Sequence, residues 1–483
     1  MAQLPSISKK ITNQSFKELY EFLSIPNDAH FPSDIEKNLI WLEDAFHKRD
    51  FQTSQLATSG SPLFLAKKDF NKNFKTVLFY MHFDGQPVDA AQWFQKSPYS
   101  PVLKERNQEG KWVEKNWNDV YGEYNEEWRI FARSASDDKS PIIMLLTALD
   151  VLEEEHKLPA FNIKVILDSE EEMGSPYLAP AIKKYEDQLK ADYLLILDGP
   201  RHISNQPTLT FGARGIIDVD ITVFGPKYPL HSGHYGNYAP NPAFLLSELL
   251  ASLKDKQGRV VIPGFYDGVE LTDAIKSELS KVPDDEVTIQ RKIGIAKSEE
   301  VGNNYQESIQ YPSLNIKGMA SGWVGDEART IIPSTATVTM DIRLVPESDP
   351  ERLITMLKDH IQKQGFHLVD ENPTDEERSQ YSRLASFEYS VSYGAFRTEL
   401  DSEMGKWLTG AMLKTFGKEP IKIRIGGGSV PIAPFINTLN IPAVLVPVVN
   451  SDNNQHSPNE NLRLGNYIEG IKTCIGILSE PLD

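Results

Sequence analysis

Ile163-Lys164-Val165-Ile166-Leu167-Asp168-Ser169-Glu170-Glu171-Glu172-Met173-Gly174-Ser175 joins a short apolar run to three consecutive glutamates. The run 163–167, bounded by Asp168-Ser169, reads as a buried strand. A helix near 178–190 and a second apolar strand, Tyr193-Leu194-Leu195-Ile196-Leu197, follow it. This strand–helix–strand rhythm implies an α/β fold with a mostly parallel central sheet flanked by helices. Three adjacent carboxylates repel one another and are costly to desolvate. Where a core strand ends, they imply either a waiting cation or a solvated acidic turn, and the run alone does not separate the two.

The same texture extends upstream. Thr76-Val77-Leu78-Phe79-Tyr80 reads as a strand ending at Met81-His82-Phe83-Asp84. Helical spacing covers 16–24 and 36–48, and Pro141 opens a helix through Leu152, as suits proline in a first turn. Residues 85–130, rich in Trp, Pro, Asn and Gly, read as loop. From about residue 213 the pattern changes. Residues 216–224 and 335–345 alternate like half-exposed strands, and 242–254 read as an amphipathic helix. Residues 365–395 read as a long loop or connector. The α/β pattern then returns, with a helix over 404–416 and an apolar strand over 441–449. The expected organisation is a catalytic domain split between 1–212 and 394–483, with a smaller α+β module inserted at 213–393.

Composition narrows the function classes. The length, 483 residues, suits two to four domains at roughly 100–200 residues each. A net charge of -18 disfavours nucleic acid or an anionic membrane as partner. No apolar run reaches the roughly 18 residues of a membrane span. Met1-Ala2-Gln3-Leu4-Pro5 has no signal-type apolar segment. The only cysteine, Cys474, allows no intrachain disulfide and no thiolate metal cluster. These features fit a cytoplasmic protein; a secreted or periplasmic one whose signal had been removed would read the same.

Polar clusters sit where strands are expected to end: His82-Phe83-Asp84, Asp137-Asp138, the glutamates 170–172 and Asp198, with His456 in the loop after the last apolar strand. In open parallel sheets the carboxyl ends of strands converge on one ligand-binding edge. Histidines and carboxylates without cysteine suit a pair of zinc or manganese ions. Such a site also needs a bridging carboxylate and a free one that activates water. Each cluster alone has a plainer reading. Asp137-Asp138 can cap a helix and Asp198-Gly199-Pro200 is a turn signal.

Further segments complete an ordered set: Ser136-Asp137-Asp138-Lys139, His231-Ser232-Gly233, Thr330-Ile331-Ile332-Pro333, Arg343-Leu344-Val345-Pro346, Gly427-Gly428-Ser429-Val430-Pro431 and His456-Ser457. The set resembles the co-catalytic zinc peptidase family of carnosinases, glutamate carboxypeptidases, aminoacylases and succinyl-diaminopimelate desuccinylases, with the carnosinase-like dipeptidase branch closest. Met81 stands where that family usually has Gly. The resemblance implies two divalent ions per subunit, zinc or manganese. His82 and Asp198 would bind one ion, Glu172 and His456 the other, and Asp137 both. It implies Glu171 as general base and Asp84 as the acid that fixes the His82 tautomer, leaving Glu170 either as a turn acid or as one that supports the ligands from behind. The insert would be a lid and homodimerisation domain, with His231 reaching the partner's active site to polarise the scissile carbonyl; His234 is its nearby decoy. Arg343, Gly428 and Ser429 would hold the substrate carboxylate. The implied reaction is hydrolysis of dipeptides or short peptides with a free carboxylate. An N-acyl amino-acid deacylase is the near alternative and a non-catalytic binding module the remote one.

Overall fold

The computed structural model describes residues 5–428 and 431–482, and the chain divides into two compact units. The first comprises the chain up to Gly212, Arg397–Arg424, and the chain from Pro431 on. Its centre is an eight-stranded sheet. In chain order the strands are β1 (Gln52–Leu56), β2 (Leu63–Lys68), β3 (Thr76–His82), β4 (Asn162–Asp168), β5 (Tyr193–Ile196), β6 (Thr208–Thr210), β7 (Ile421–Ile423) and β8 (Ala443–Leu445). Across the sheet they lie β1-β2-β4-β3-β5-β8-β6-β7. The central four, β4, β3, β5 and β8, run parallel. At one edge β1, β2 and β4 pair antiparallel. Near the other edge β6 meets β8 antiparallel.

The central strands are apolar on both faces because both are covered. Val77, Phe79, Met81, Val165, Leu167 and Leu195 join the main core with residues of helices Lys9–Leu23, Lys139–Glu154, Glu403–Phe416 and Leu464–Ser479. On the opposite face Tyr80 packs its ring edge-on to Phe435, 5.6 Å between centroids, from helix Ala433–Leu439. Helix Lys139–Glu154 buries apolar side chains on nearly every side, as an enclosed helix must. Pro141 lies in its first turn, although the helix begins earlier, at Lys139.

Two stretches that read as loop carry structure. Between 85 and 130 lie Val102–Arg106, Trp112–Lys115 and the start of Arg129–Phe131, which with Asn461–Arg463 form a four-stranded antiparallel sheet. These strands are short and held by aromatic contacts such as Trp112 on Phe131, 5.2 Å apart, so no aliphatic run betrays them. Between 365 and 395 lie His367–Val369, helix Asp375–Gln380 and strand Leu384–Tyr393. Phe387, Tyr389, Val391 and Tyr393 alternate with Glu388, Ser390 and Ser392, a period-two signal hidden by the serine-rich composition. Conversely, the apolar run 441–449 is regular strand only over Ala443–Leu445.

The second unit comprises Ala213–Phe396 and a short segment beginning at Ile425. That segment is tied in locally: Arg214 N–H donates to the Gly428 carbonyl at 3.2 Å, and Ala213 bridges Gly426. Its five-stranded sheet runs Ser313–Ala320, Thr335–Leu344, Gly215–Phe224, Leu384–Tyr393, His367–Val369. Ile217, Val219, Ile221 and Val223 pack with Leu246 and Leu249 of helix Pro242–Ala251 and with Leu353 and Leu357 of helix Pro350–Lys363. The intervening Asp218, Asp220 and Thr222 face outward, the alternation of a sheet covered on one side. Among the described residues no helix is long and apolar enough to cross a membrane.

Candidate active site

The parallel strands of the first unit deliver the polar clusters to one edge. Strand β3 ends at His82, β4 runs into the glutamates, and β5 leads to Asp198. After β4 the chain makes a tight turn over Glu171–Met173, closed by Gly174 at φ 82, where a side chain would be strained. Asp84 holds this turn to β3. Its Oδ1 accepts Glu171 N–H at 3.1 Å and its Oδ2 accepts Glu172 N–H at 3.0 Å. Oδ1 also lies 3.3 Å from His82 Nδ1, which leaves Nε2 as the outward-facing nitrogen.

Asp137 stands between the two histidines. Its Oδ1 is 2.9 Å from His82 Nε2 and its Oδ2 is 3.0 Å from His456 Nε2. Glu172 Oε2 lies 3.3 Å from the same His456 nitrogen. His82, Asp137 and Asp198 form one group, and Asp137, Glu172 and His456 a second; within each, the available ligand atoms all lie within 4.8 Å of one another.

The charges are crowded. Burial and the Asp137 charge push the Glu172 carboxyl up to about 7 and that of Asp198 to about 6. Burial raises Glu171 well above the carboxylate range, with Asp198, Asp137 and Asp84 adding repulsion. For Asp137 burial acts upward too, but the bonds to His456 and His82 outweigh it and hold the group low. His456 is raised to about 9, first by its bond to Asp137. A compact, acidic set of nitrogen and oxygen donors is one that a borderline divalent cation would neutralise.

Glu170 is turned elsewhere, accepting Ser61 N–H at 3.1 Å. Three supporting residues escaped the sequence reading. Gln86 donates to Glu172 Oε2 at 2.7 Å. Asp168 accepts from Ser175 Oγ at 2.6 Å and from Glu170 N–H at 3.0 Å, bracing the glutamate turn from below. Glu460, wholly buried, accepts from the backbone around Asp137. Gln86 stands two residues after Asp84 and Asp168 beside the glutamates, whereas Glu460 carried no signal of its own.

Of the remaining predicted residues, His231, Arg343 and Gly428 lie in the second unit. His231 is exposed, on a two-residue strand that pairs with Ile331–Ile332, so two of the quoted motifs meet. Its Nδ1 accepts Gly233 N–H at 3.0 Å, and its ring lies 4.6 Å from that of His234. Arg343 is half-buried, with Nε donating to Asp341 at 3.0 Å. Gly428 is placed by its carbonyl bond to Arg214, while Ser429 lies outside the described residues.

The profile of peptidase family M20/M25/M40 matches residues 78–480. The chain belongs to this family. An M20/M25/M40 peptidase with this site is an enzyme, a metal-dependent hydrolase. Among its relatives, the Cys-Gly metallodipeptidase dug1 of Schizosaccharomyces pombe is 26% identical over 97% of this chain and 91% of its own. The Beta-Ala-His dipeptidase of Homo sapiens is 27% identical over 85% of this chain and 76% of its own. The crystal structure of the M20 family metallo-carboxypeptidase Sso-CP2 from Sulfolobus solfataricus superposes with a TM-score of 0.75 at 28% identity, covering 96% of this chain and 98% of that one. The α/β architecture expected from the 163–197 pattern is therefore shared with M20 peptidases.

Proposed function

We propose that this M20/M25/M40 peptidase is a dinuclear metallo-dipeptidase, acting on dipeptides or short peptides with a free carboxylate. The observation that carries the reading is Asp137, whose two oxygens each face a different histidine and belong to both ligand groups. His82 and Asp198 would hold one ion, Glu172 and His456 the other, and Asp137 both. Bound there, zinc or manganese supplies Lewis acidity, polarising the substrate carbonyl and lowering the pKa of water.

Glu171 is assigned as the base. Its carboxylate takes the proton of the attacking water and returns it to the leaving amine. In the metal-free chain burial first, and then repulsion from Asp198, Asp137 and Asp84, raise its proton affinity. His231 is assigned to the oxyanion of the partner subunit's site in a homodimer. Because Nδ1 accepts from Gly233, the neutral ring carries its proton on Nε2, the donor that an oxyanion needs. Arg343 and the segment at Gly428 and Ser429 are assigned to the substrate carboxylate, which suits a guanidinium fork and close backbone. The names of the relatives, a Cys-Gly and a Beta-Ala-His dipeptidase, support the substrate class.

The test is hydrolysis of Cys-Gly, β-Ala-His and N-acetyl amino acids by wild type and Glu171→Gln with added zinc or manganese. Dipeptides are the expected substrates, and Glu171→Gln is expected to lose about 10²–10⁴-fold in kcat while retaining metal. Activity retained in the variant removes Glu171 as base. Preference for N-acetyl amino acids makes the enzyme a deacylase.

A further inference from the structure

Glu460 is a buried acid that none of these roles absorbs. It follows the His456 loop and immediately precedes strand Asn461–Arg463. A carboxylate offers about four acceptor sites, and here each oxygen takes two donors. Oε1 accepts Ser136 N–H at 2.8 Å and Asp137 N–H at 3.0 Å. Oε2 accepts Ser134 N–H at 3.0 Å and Arg133 Nη1 at 2.8 Å. All these donors come from residues 133–137, the loop that presents Asp137.

The arrangement continues a strand pairing by other means. Asn461 faces Phe131 in the antiparallel ladder, and Ala132 N–H donates to the Glu460 carbonyl at 3.2 Å. Beyond Ala132 the backbone leaves the ladder, and the Glu460 side chain takes over as acceptor. Ser136 Oγ adds a bond to the Asn461 carbonyl at 2.9 Å. Both joined loops contain a left-handed non-glycine residue, Ser134 and His456, each at φ 59. Such conformations persist only where the surroundings over-determine them.

We infer that Glu460 is a positioning residue that locks the Asp137 loop to the His456 loop, keeping the two Asp137 oxygens between the two imidazoles. The inference rests on the dinuclear reading above. Glutamate is the residue this job requires. Glutamine has one acceptor oxygen, and its NH₂ would confront two of the four donors. Aspartate is a methylene too short. Arg133, which also lies over the Trp93 ring at 5.4 Å, neutralises the buried charge.

The experiment titrates metal-free wild type, Glu460→Gln and Arg133→Gln with Zn²⁺ by calorimetry. Circular dichroism checks folding, and dipeptide kinetics are measured at saturating metal. Folded Glu460→Gln is expected to bind metal about 10–100-fold more weakly, the range for groups that orient metal ligands. Its kcat per folded molecule should fall as well, but the weaker metal affinity is the readout that mere loss of stability would not move, because a smaller folded fraction lowers the fitted stoichiometry and the apparent kcat while leaving the dissociation constant and KM unchanged. Arg133→Gln is expected to move the same way by about tenfold, and it decides the matter if Glu460→Gln does not fold. Wild-type metal affinity and kcat in the folded variants overturn the inference. A wild type that takes up fewer than two ions per chain overturns the dinuclear reading beneath it.

Discussion

Asp137 faces two histidines, and Glu460 accepts the backbone N–H groups of Asp137 and its neighbour Ser136. Asp84 does comparable work on the opposite side, binding the His82 ring and two backbone N–H groups of the glutamate turn with one wholly buried carboxylate. Asp84→Asn keeps the shape but turns an amide NH₂ toward one of those donors. It is expected to weaken metal binding about 10–100-fold, read by titrating the metal-free protein; unchanged affinity would contradict the role. At this scale the sequence was legible where residue type reports chemistry. His82, Asp137, Glu172, Asp198 and His456, named from motifs, lie together in the two ligand groups. It was illegible where a role depends on distant partners. Nothing in Asn459-Glu460-Asn461 announces that Glu460 will meet Ser134 and Asp137.

Elements were readable in proportion to their aliphatic content. Strands β3, β4 and β5 are covered on both faces, so continuous apolar runs mark them. The aromatic strands of the 85–130 region and the alternating Leu384–Tyr393 are marked by packing partners instead. Close packing behind the sheet makes a prediction at this scale. Helix Leu464–Ser479 lies against helix Lys139–Glu154, and a Cβ at Gly470 would fall on Met144 Sδ. Gly470→Val therefore overpacks that contact, at a cost of about 1–3 kcal/mol. A lower melting temperature with unchanged kcat per folded molecule is expected; an unaltered melting curve would contradict the packing.

For the whole molecule, the mixed sheet of the first unit sets the carboxyl ends of its parallel strands along one edge, and β3, β4 and β5 place His82, the glutamate turn and Asp198 there. The second unit carries His231, Arg343 and Gly428 on a separate one-faced sheet and its connections. The boundary between the two compact units falls near residue 213, where a change of pattern was readable. The regular structure of 365–395 was not, because its alternation is carried by Tyr and Ser rather than by aliphatic residues. Ions that bind only the folded chain add stability by mass action, so chelation is expected to lower the melting temperature as well as activity. The most direct measurement is therefore to strip the protein of metal and add Zn²⁺ stepwise while following hydrolysis of Cys-Gly. Activity absent without metal and complete at two ions per chain is the predicted result. Full activity in the stripped protein, or a plateau with one ion bound, would contradict a dinuclear peptidase.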